Sequence, residues 1–298
     1  LKDVAILTES RYLKPVKQNW YVKNILTEDG LVQDELEKLN ISCERIAWDG
    51  SIDLSNFRVA LFRTTWNYFD ELGSFVNFLK KWSPFVSFIN PYEQILWNLD
   101  KKYLLELSRL GISIVDTKII TKKSYVPLKR ICKIKNWENV VIKPCVSAAA
   151  WQTYSLSGAQ IEASEKMFYE LVQKQDMIIQ EFQNNIQSFG ELSLMIIGGV
   201  YSHAVLKRAK SGDFRVQDDF GGSVEPYSPN KNEIKFAENV IRSLPFSPIY
   251  ARVDIVVNNE NLLALSELEI IEPEMWFRFN NAAAKKLAAE IKQCFFES

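Results

Sequence analysis

Histidine is almost missing from this chain: His203 stands alone among 298 residues. No GxSxG element accompanies it, so a Ser-His-Asp hydrolase is not supported. His203 falls inside a predicted hairpin, where a structural or surface role is expected. Cysteine is sparse and unpatterned. Cys43, Cys132, Cys145 and Cys294 show no CxxC spacing, and disulfide frameworks and zinc sites both need tighter patterns, which leaves reduced thiols. An excess of one charge is missing too. The 36 Lys plus Arg and 37 Asp plus Glu nearly cancel, giving no electrostatic reason for a nucleic-acid or membrane-surface partner. No run approaches the roughly 18 uninterrupted apolar residues of a membrane helix, and LKDVAILTES at the start has no signal-peptide layout. A soluble, cytoplasmic protein is expected.

What is present is an ordinary globular composition, 47% hydrophobic and 24% charged, at a length that predicts two or three units. In the first third, VAILTE (4–9) and VALFRTT (59–65) read as buried strands. Helices are expected around 31–40 and 74–82. Strand–helix–strand order predicts a small parallel α/β domain whose strand ends carry Glu9, Ser10, Arg11 and Thr65, Trp66, Asn67. Open α/β sheets bind ligands at those ends.

A second region, about 90–182, holds a helix near 100–110 that stops at Gly111, the strands ISIVDTKII and NVVIKPCV, a helix near 162–174, and MIIQEF. The third region reads as antiparallel. Gly198-Gly199 between ELSLMII and VYSHAVLKRA suits a two-residue hairpin turn, and Ser228-Pro229 is expected to open a helix over about 230–243. YARVDIVV and LLALSELEII form a second hairpin about 258–261, and a helix closes the chain.

That second hairpin carries the most informative pattern. A tight turn places Asp254 opposite Leu265. Side chains alternate faces with period two, so Glu267 and Glu269 share the face of Asp254. Three carboxylates on one face suit Mg²⁺, a cation held by one or two carboxylates plus substrate phosphates. The alternative is a solvated sheet face, against which stand the poor strand propensity of Asp and Glu and the repulsion of neighbouring like charges. Lys143 ends the apolar run Val140–Ile142 and is held extended by Pro144; buried there, its ammonium needs an anion, with a structural salt bridge as the alternative. Lys101 is read as opening a helix capped by Asp100 or Asn98, with a surface lysine as the alternative. Lys207, Arg208 and Arg215 flank a Gly-containing turn, and Arg matches phosphate with a planar fork of donors; a charged hairpin tip is the alternative.

Taken in order, NLDK (98–101), VIKP (141–144), QEF (180–182), GELS (190–193), LKRAKSGDFRVQ (206–217) and RVDIVV…SELEIIEP (252–273) resemble the ATP-grasp superfamily, in particular its glutathione synthetase-like branch. RTTWNY (63–68) is similar to a subgroup containing O-ureido-serine cyclo-ligase-type enzymes. The resemblance implies an α/β (α+β) fold with an N-terminal parallel domain (1–90) and two nucleotide-sandwiching subdomains (91–182 and 183–298). It implies ATP and Mg²⁺ as cofactors. Lys101 and Lys143 would contact phosphates and adenine, with Ser147 and Lys207 beside them. Gln180, Glu181 and Phe182 would border adenine, and Glu191 would reach the ribose. Arg208 and Arg215 would hold the transferring phosphate, while Asp254, Glu267 and Glu269 would bind the metal. Two departures mark this sequence: the flap after Pro144 contains Ala148–Ala150 where glycines are usual, and Glu274 replaces a small residue.

The implied reaction is ATP-dependent ligation through an acyl phosphate, joining a small carboxylate to a nitrogen nucleophile. The rival reading is an ATP-binding regulatory or assembly protein without turnover. Small-molecule substrates are expected, and a homodimer is compatible with the sequence. Arg11, Arg63, Trp66 and Arg278 are assigned as substrate contacts from position alone, and Trp276 is expected near a pocket.

Overall fold

The computed structural model describes residues 2–147, 151–210, 216 and 221–297. Three sheets organise the described chain. The first runs β2 (Cys43–Ala47), β1 (Lys2–Thr8), β3 (Phe57–Thr64), β4 (Ser87–Ile89), all parallel. Val4–Leu7 and Val59–Phe62 are fully or almost fully buried on both faces, as parallel strands covered by helices should be. One cover is the helix Leu72–Trp82, which turns Phe75, Phe78, Leu79 and Trp82 inward at helical spacing. The other is Trp20–Lys38, whose Val32 and Leu36 share a core with the closing helix Asn281–Phe295.

The helix expected from residue 31 thus starts eleven residues earlier, where the Asn19 side chain accepts from the Val22 backbone N–H at 2.9 Å. Its apolar pattern is broken by Glu28 and Asp29, which are buried against arginines rather than turned to water.

The second sheet runs β5 (Thr117–Ile120), β8 (Met177–Glu181), β6 (Val140–Pro144), β7 (Tyr154–Leu156), antiparallel throughout. It is backed by the helices Leu128–Lys135, Gly158–Ala163 and Glu165–Lys174, which meet in one apolar cluster. The single helix expected near 162–174 is therefore two, parted at Ser164. The third and largest sheet runs β11 (Ser223–Tyr227), β10 (Val200–Arg208), β9 (Glu191–Ile197), β12 (Tyr250–Val257), β13 (Leu263–Glu269), again antiparallel. Gly198 and Gly199 turn β9 into β10 with φ of 60° and 76°, the positive angles a two-residue hairpin requires. The helix after it spans Lys231–Arg242 and is capped by Asn230 with Glu233 in a reciprocal box, not by Ser228-Pro229.

The stretch after Asn90 also differs from expectation. Helices Tyr92–Leu99 and Tyr103–Arg109 flank a break at Asp100–Lys102. Asn98 caps neither. Its amide donates to Leu268 O at 2.8 Å and its carbonyl accepts from Ile270 N at 3.0 Å, tying this segment to the end of β13. Lys101 consequently leaves a break between helices and turns inward, with 6% of its surface exposed.

Candidate active site

A β-bulge decides the geometry of the carboxylate hairpin. Near the turn Ile255 pairs with Leu265, but beyond the bulge Asp254 pairs with Glu267 and Arg252 with Glu269. The expected pairing of Asp254 with Leu265 is wrong by two residues. Without the inserted residue Asp254 would face Ser266, and Glu267 would turn to the opposite face. With it, Asp254, Glu267 and Glu269 share one face, as the sequence reading required.

That face also carries Arg252, which the sequence reading passed over. Its guanidinium Nε and Nη2 lie 3.0 and 2.9 Å from the Asp254 carboxylate, and Nη2 also reaches Glu269. Lys207 Nζ stands 3.3 Å from Asp254 Oδ2 and also pairs with Glu191, while Ser193 Oγ donates to Asp254 at 2.5 Å. Burial alone would raise the Asp254 pKa, but Arg252 and Lys207 overcome it and hold the group at about 2. Glu267 is likewise pushed up by burial yet ends lowered by Lys101 and Lys143. Lys101 Nζ lies 3.0 Å from Glu267 Oε1 and donates to the Ser147 carbonyl. Lys143 is lowered, chiefly by burial, with Lys101 adding to the effect against Glu267. Glu269 is the least compensated, and burial carries it up to about 7 despite Arg252. Among the described residues no set of carboxylates, histidines or cysteines closes into a metal cage; protein cations occupy the carboxylate edges instead.

These groups line a cleft of about 270 Å³ between the second and third sheets. Lys101, Lys143, Ser147, Gln180, Glu181, Phe182, Glu191, Lys207, Asp254, Glu267, Glu269 and Trp66 are all on its wall. At one end β8 runs out past Gln180, whose amide donates to Thr117 Oγ1 at 2.9 Å. The chain there is pinned: Phe182 N donates to Asn139 O, and Phe182 O accepts from Asn259 at 2.9 Å. Val115, Val141, Ile186 and Val256 give this end an apolar lining. Glu191 opens β9 beside Lys207 and accepts from Ser266 at 2.8 Å. Gly190 makes that approach possible. Its φ is +107°, and a Cβ there would strike the Lys207 carbonyl oxygen.

At the other end stand Trp66, Tyr68, Glu272, Glu274 and Trp276. The Trp66 indole donates to Glu272 O at 2.9 Å. Glu272 is 6% exposed, and burial with the nearby Glu269 charge pushes its carboxyl up to about 8 against the opposing influence of Tyr68, Lys101 and Arg252.

Several expected positions are not brought to the cleft. Arg63 is buried under the N-terminal sheet, donating to Pro273 O at 3.2 Å beside Asp29 and Glu28. Arg278 pairs with Glu28 at 3.2 Å and Glu274 at 2.5 Å. Arg11 is exposed and pairs with Glu9. Arg208 follows Lys207 on β10, so alternation sends it to the other face, where it meets Phe189 O at 2.8 Å and Glu225 at 3.3 Å. Arg215 and Ala148–Ala150 lie outside the described residues. His203 sits 2.7 Å from Met275 O, so its Nε2 donates and the ring is structural. All four cysteines are free thiols, and no helix among the described residues is long and apolar enough to cross a membrane. The residues missed were Arg252, Tyr68 and Glu272. Only Arg252 had a local signal, its period-two spacing from Asp254.

Comparison with known proteins places this architecture. Residues 101–276 match the model of the RimK-like ATP-grasp domain, and residues 4–90 match the N-terminal domain of D-cycloserine synthetase DcsG. The cycloserine biosynthesis protein DcsG of Streptomyces lavendulae is 25% identical over 276 residues, covering 86% of this chain and 89% of that one. The crystal structure of D-cycloserine synthetase DcsG superposes with a TM-score of 0.86 at 20% identity, covering 98% and 99% of the two chains. D-alanine–D-alanine ligase from Bacillus anthracis superposes at 0.68 and 15% identity, over 98% and 97%. Fold and cleft together define an ATP-grasp enzyme. The chain belongs to the RimK-like ATP-grasp family, and it is an ATP-dependent ligase that forms carbon–nitrogen bonds.

Proposed function

We propose that the cleft binds ATP with its base against β8 and its phosphates among Lys101, Lys143 and Lys207, and that it activates a small carboxylate as an acyl phosphate. The observation that carries this reading is the meeting, in one cleft, of Lys101, Lys143, Lys207 and Arg252 with Asp254, Glu267 and Glu269. Residues 1–90 would then serve the substrate side, and residues 91–182 and 183–298 would hold the nucleotide from either side.

A carboxylate resists attack because its leaving group would be an oxide. Its oxygen attacks the γ-phosphorus, ADP departs, and the acyl carbon gains a phosphate leaving group. A nitrogen nucleophile then attacks that carbon, phosphate leaves, and the nitrogen loses a proton. Phosphoryl transfer of this kind is mostly positioning and charge stabilisation. The chain supplies cations on the phosphate path: Lys101 and Lys143 on its second-sheet side, Lys207 and Arg252 on its third-sheet side. Gln180, Glu181 and Phe182 would border the base and Glu191 the ribose. Arg208 is directed elsewhere, so Lys207 and Arg252 take the role the sequence reading gave it.

The donor set also fits Mg²⁺. Asp254, Glu267 and Glu269 are hard oxygen donors on one face, the ligand chemistry that Mg²⁺ prefers. Mg²⁺ would be held by these carboxylates and by substrate phosphates, neutralising charge on the transferring group.

The test is ADP release with Mg-ATP against a panel of amino acids and dipeptides, beside a Glu267→Ala control. Release that depends on a panel member and is lost in the control supports the proposal. ATP binding without stimulation by any member counts against ligation of such substrates, and failure to bind ATP at all removes the site assignment.

A further inference from the structure

Trp276 is held in a backbone conformation that its side chain does not favour. Its φ is +47°, a left-handed angle rare for a bulky residue, and it opens the short turn Phe277–Phe279 without a side-chain cap of its own. Such a conformation persists only where the surroundings over-determine it. Here they do so from both sides. Ahead of Trp276, the Met275 carbonyl accepts from His203 Nε2 at 2.7 Å. Behind it, the Phe277 and Arg278 N–H groups donate to the two oxygens of Glu28 at 2.8 and 3.0 Å. Glu28 is buried and stands on the helix Trp20–Lys38, 249 residues before Phe277. It supplies the cap that the turn lacks.

The two braces come from different sheets' surroundings and meet at one residue. What they hold is an indole beneath the phosphate-side cations. The Arg252 guanidinium lies 5.2 Å from the Trp276 ring centroid and Lys207 Nζ lies 5.9 Å from it, and all three residues line the cleft. An aromatic face at this range attracts a cation and helps to fix where it stands. The third sheet brings the same groups together. His203 and Lys207 are four residues apart on β10 and share a face. His203 and Arg252 both pair with Met195 of β9, which puts them in one row on that face. The brace at Met275 and the cations over Trp276 thus rise from one patch of the sheet.

We propose that Glu28 and His203 are positioning residues that clamp Trp276 between them, and that this clamp sets Lys207 and Arg252 where the transferring phosphate is met. It rests on the nucleotide reading of the cleft and extends it to two residues that touch no ligand. A carboxylate is required at position 28, since both of its oxygens face backbone donors. An amide offers one acceptor oxygen and turns its NH2 toward the other N–H. At position 203 the ring must donate, which a phenyl ring of similar bulk cannot do.

The test measures the affinity of β,γ-imido-ATP and of ADP, each with Mg²⁺, for the wild type, Glu28→Gln, His203→Phe and the double variant. Each single variant should weaken imido-ATP binding about tenfold, as loss of one charge-assisted hydrogen bond does, and weaken ADP binding less, so that the preference for the triphosphate falls. The double variant should do no more than the stronger single one, because both act through Trp276. In fluorotryptophan-labelled protein, the fluorine NMR line of Trp276, identified by its loss in Trp276→Phe, should move in both single variants. The line of Trp137, in the core of the second sheet, should stay. Variants that unfold at lower urea yet keep the wild-type triphosphate preference overturn the proposal, whether or not the Trp276 line moves, and leave the nucleotide reading intact. Additive losses in the double variant overturn it as well. Should Glu28→Gln fail to fold, His203→Phe decides by the same two readouts. If the wild type binds neither nucleotide, the nucleotide reading itself falls and takes this inference with it.

Discussion

Asp254 stands directly opposite Glu267 across the β12–β13 ladder, and each carboxylate has its own cation: Arg252 and Lys207 for the first, Lys101 for the second. Two like charges can face each other in a buried sheet only because lysine and arginine from separate segments meet them. Lys101 arrives from the break between two helices and Lys207 from β10.

Removing the charge at Glu267 while keeping its shape should therefore affect turnover more than folding. Glu267→Gln is expected to lower kcat about 100-fold or more with an unchanged circular dichroism spectrum. Steady-state ADP release checks it, and a variant within a few-fold of wild type would remove Glu267 from the phosphate path.

Arg252 carries more of the structure. Arg252→Met leaves Asp254 with Lys207 and Ser193 but strips Glu269 of its ion-pair partner. Breaking a buried pair in this way costs about 3–5 kcal/mol, read as a lower urea midpoint. Arg252→Lys should recover only part of it, since an ammonium lacks the planar fork that reaches both carboxylates.

Two glycines in positive-φ conformations should respond differently to alanine. Gly190→Ala would drive its Cβ into the Lys207 backbone, whereas Gly199 has open space around it. Backbone strain of this kind costs about 1–3 kcal/mol, and Gly190→Ala should lie at the upper end and also weaken ATP binding. Denaturation midpoints of the two variants, with nucleotide titrations, test the contrast.

The raised carboxyl of Glu272 gives stability a pH dependence. Its folded pKa of about 8 lies above the ordinary value of 4.5, chiefly through burial. The folded state therefore binds the proton more tightly than the unfolded state, and this group lowers stability as pH rises from about 4.5 to about 8. Asp254 acts in another window: held at about 2, its favourable contribution fades only as pH falls below about 4. The urea midpoint should drop between pH 5.5 and pH 8.5, and Glu272→Gln should flatten that slope.

Much of this was legible in the sequence because it is local. Gly198-Gly199 announced its hairpin, and the apolar runs at 4–7 and 59–62 announced buried strands. The shared face of Asp254, Glu267 and Glu269 followed from period-two spacing, although the pairing behind it did not, since a bulge leaves no local mark in LALSELE. Alternation also required that only one of Lys207 and Arg208 face the cleft, but which one depends on the phase of β10 against β9. The burial of Glu28, Arg63 and Glu272 is set by contacts between segments more than a hundred residues apart, and no window of sequence displays it. Asn98 looked like a helix cap for the same reason: its partners at 268 and 270 are invisible from its neighbours.

Arg63 and Glu28 reach across to Pro273, Phe277 and Arg278. The first ninety residues are thus not a detachable module. A chimera that exchanged the N-terminal sheet alone would lose the struts behind the 272–278 wall, so, under the proposed function, the inheritable unit of substrate choice would be that sheet together with this short distant segment.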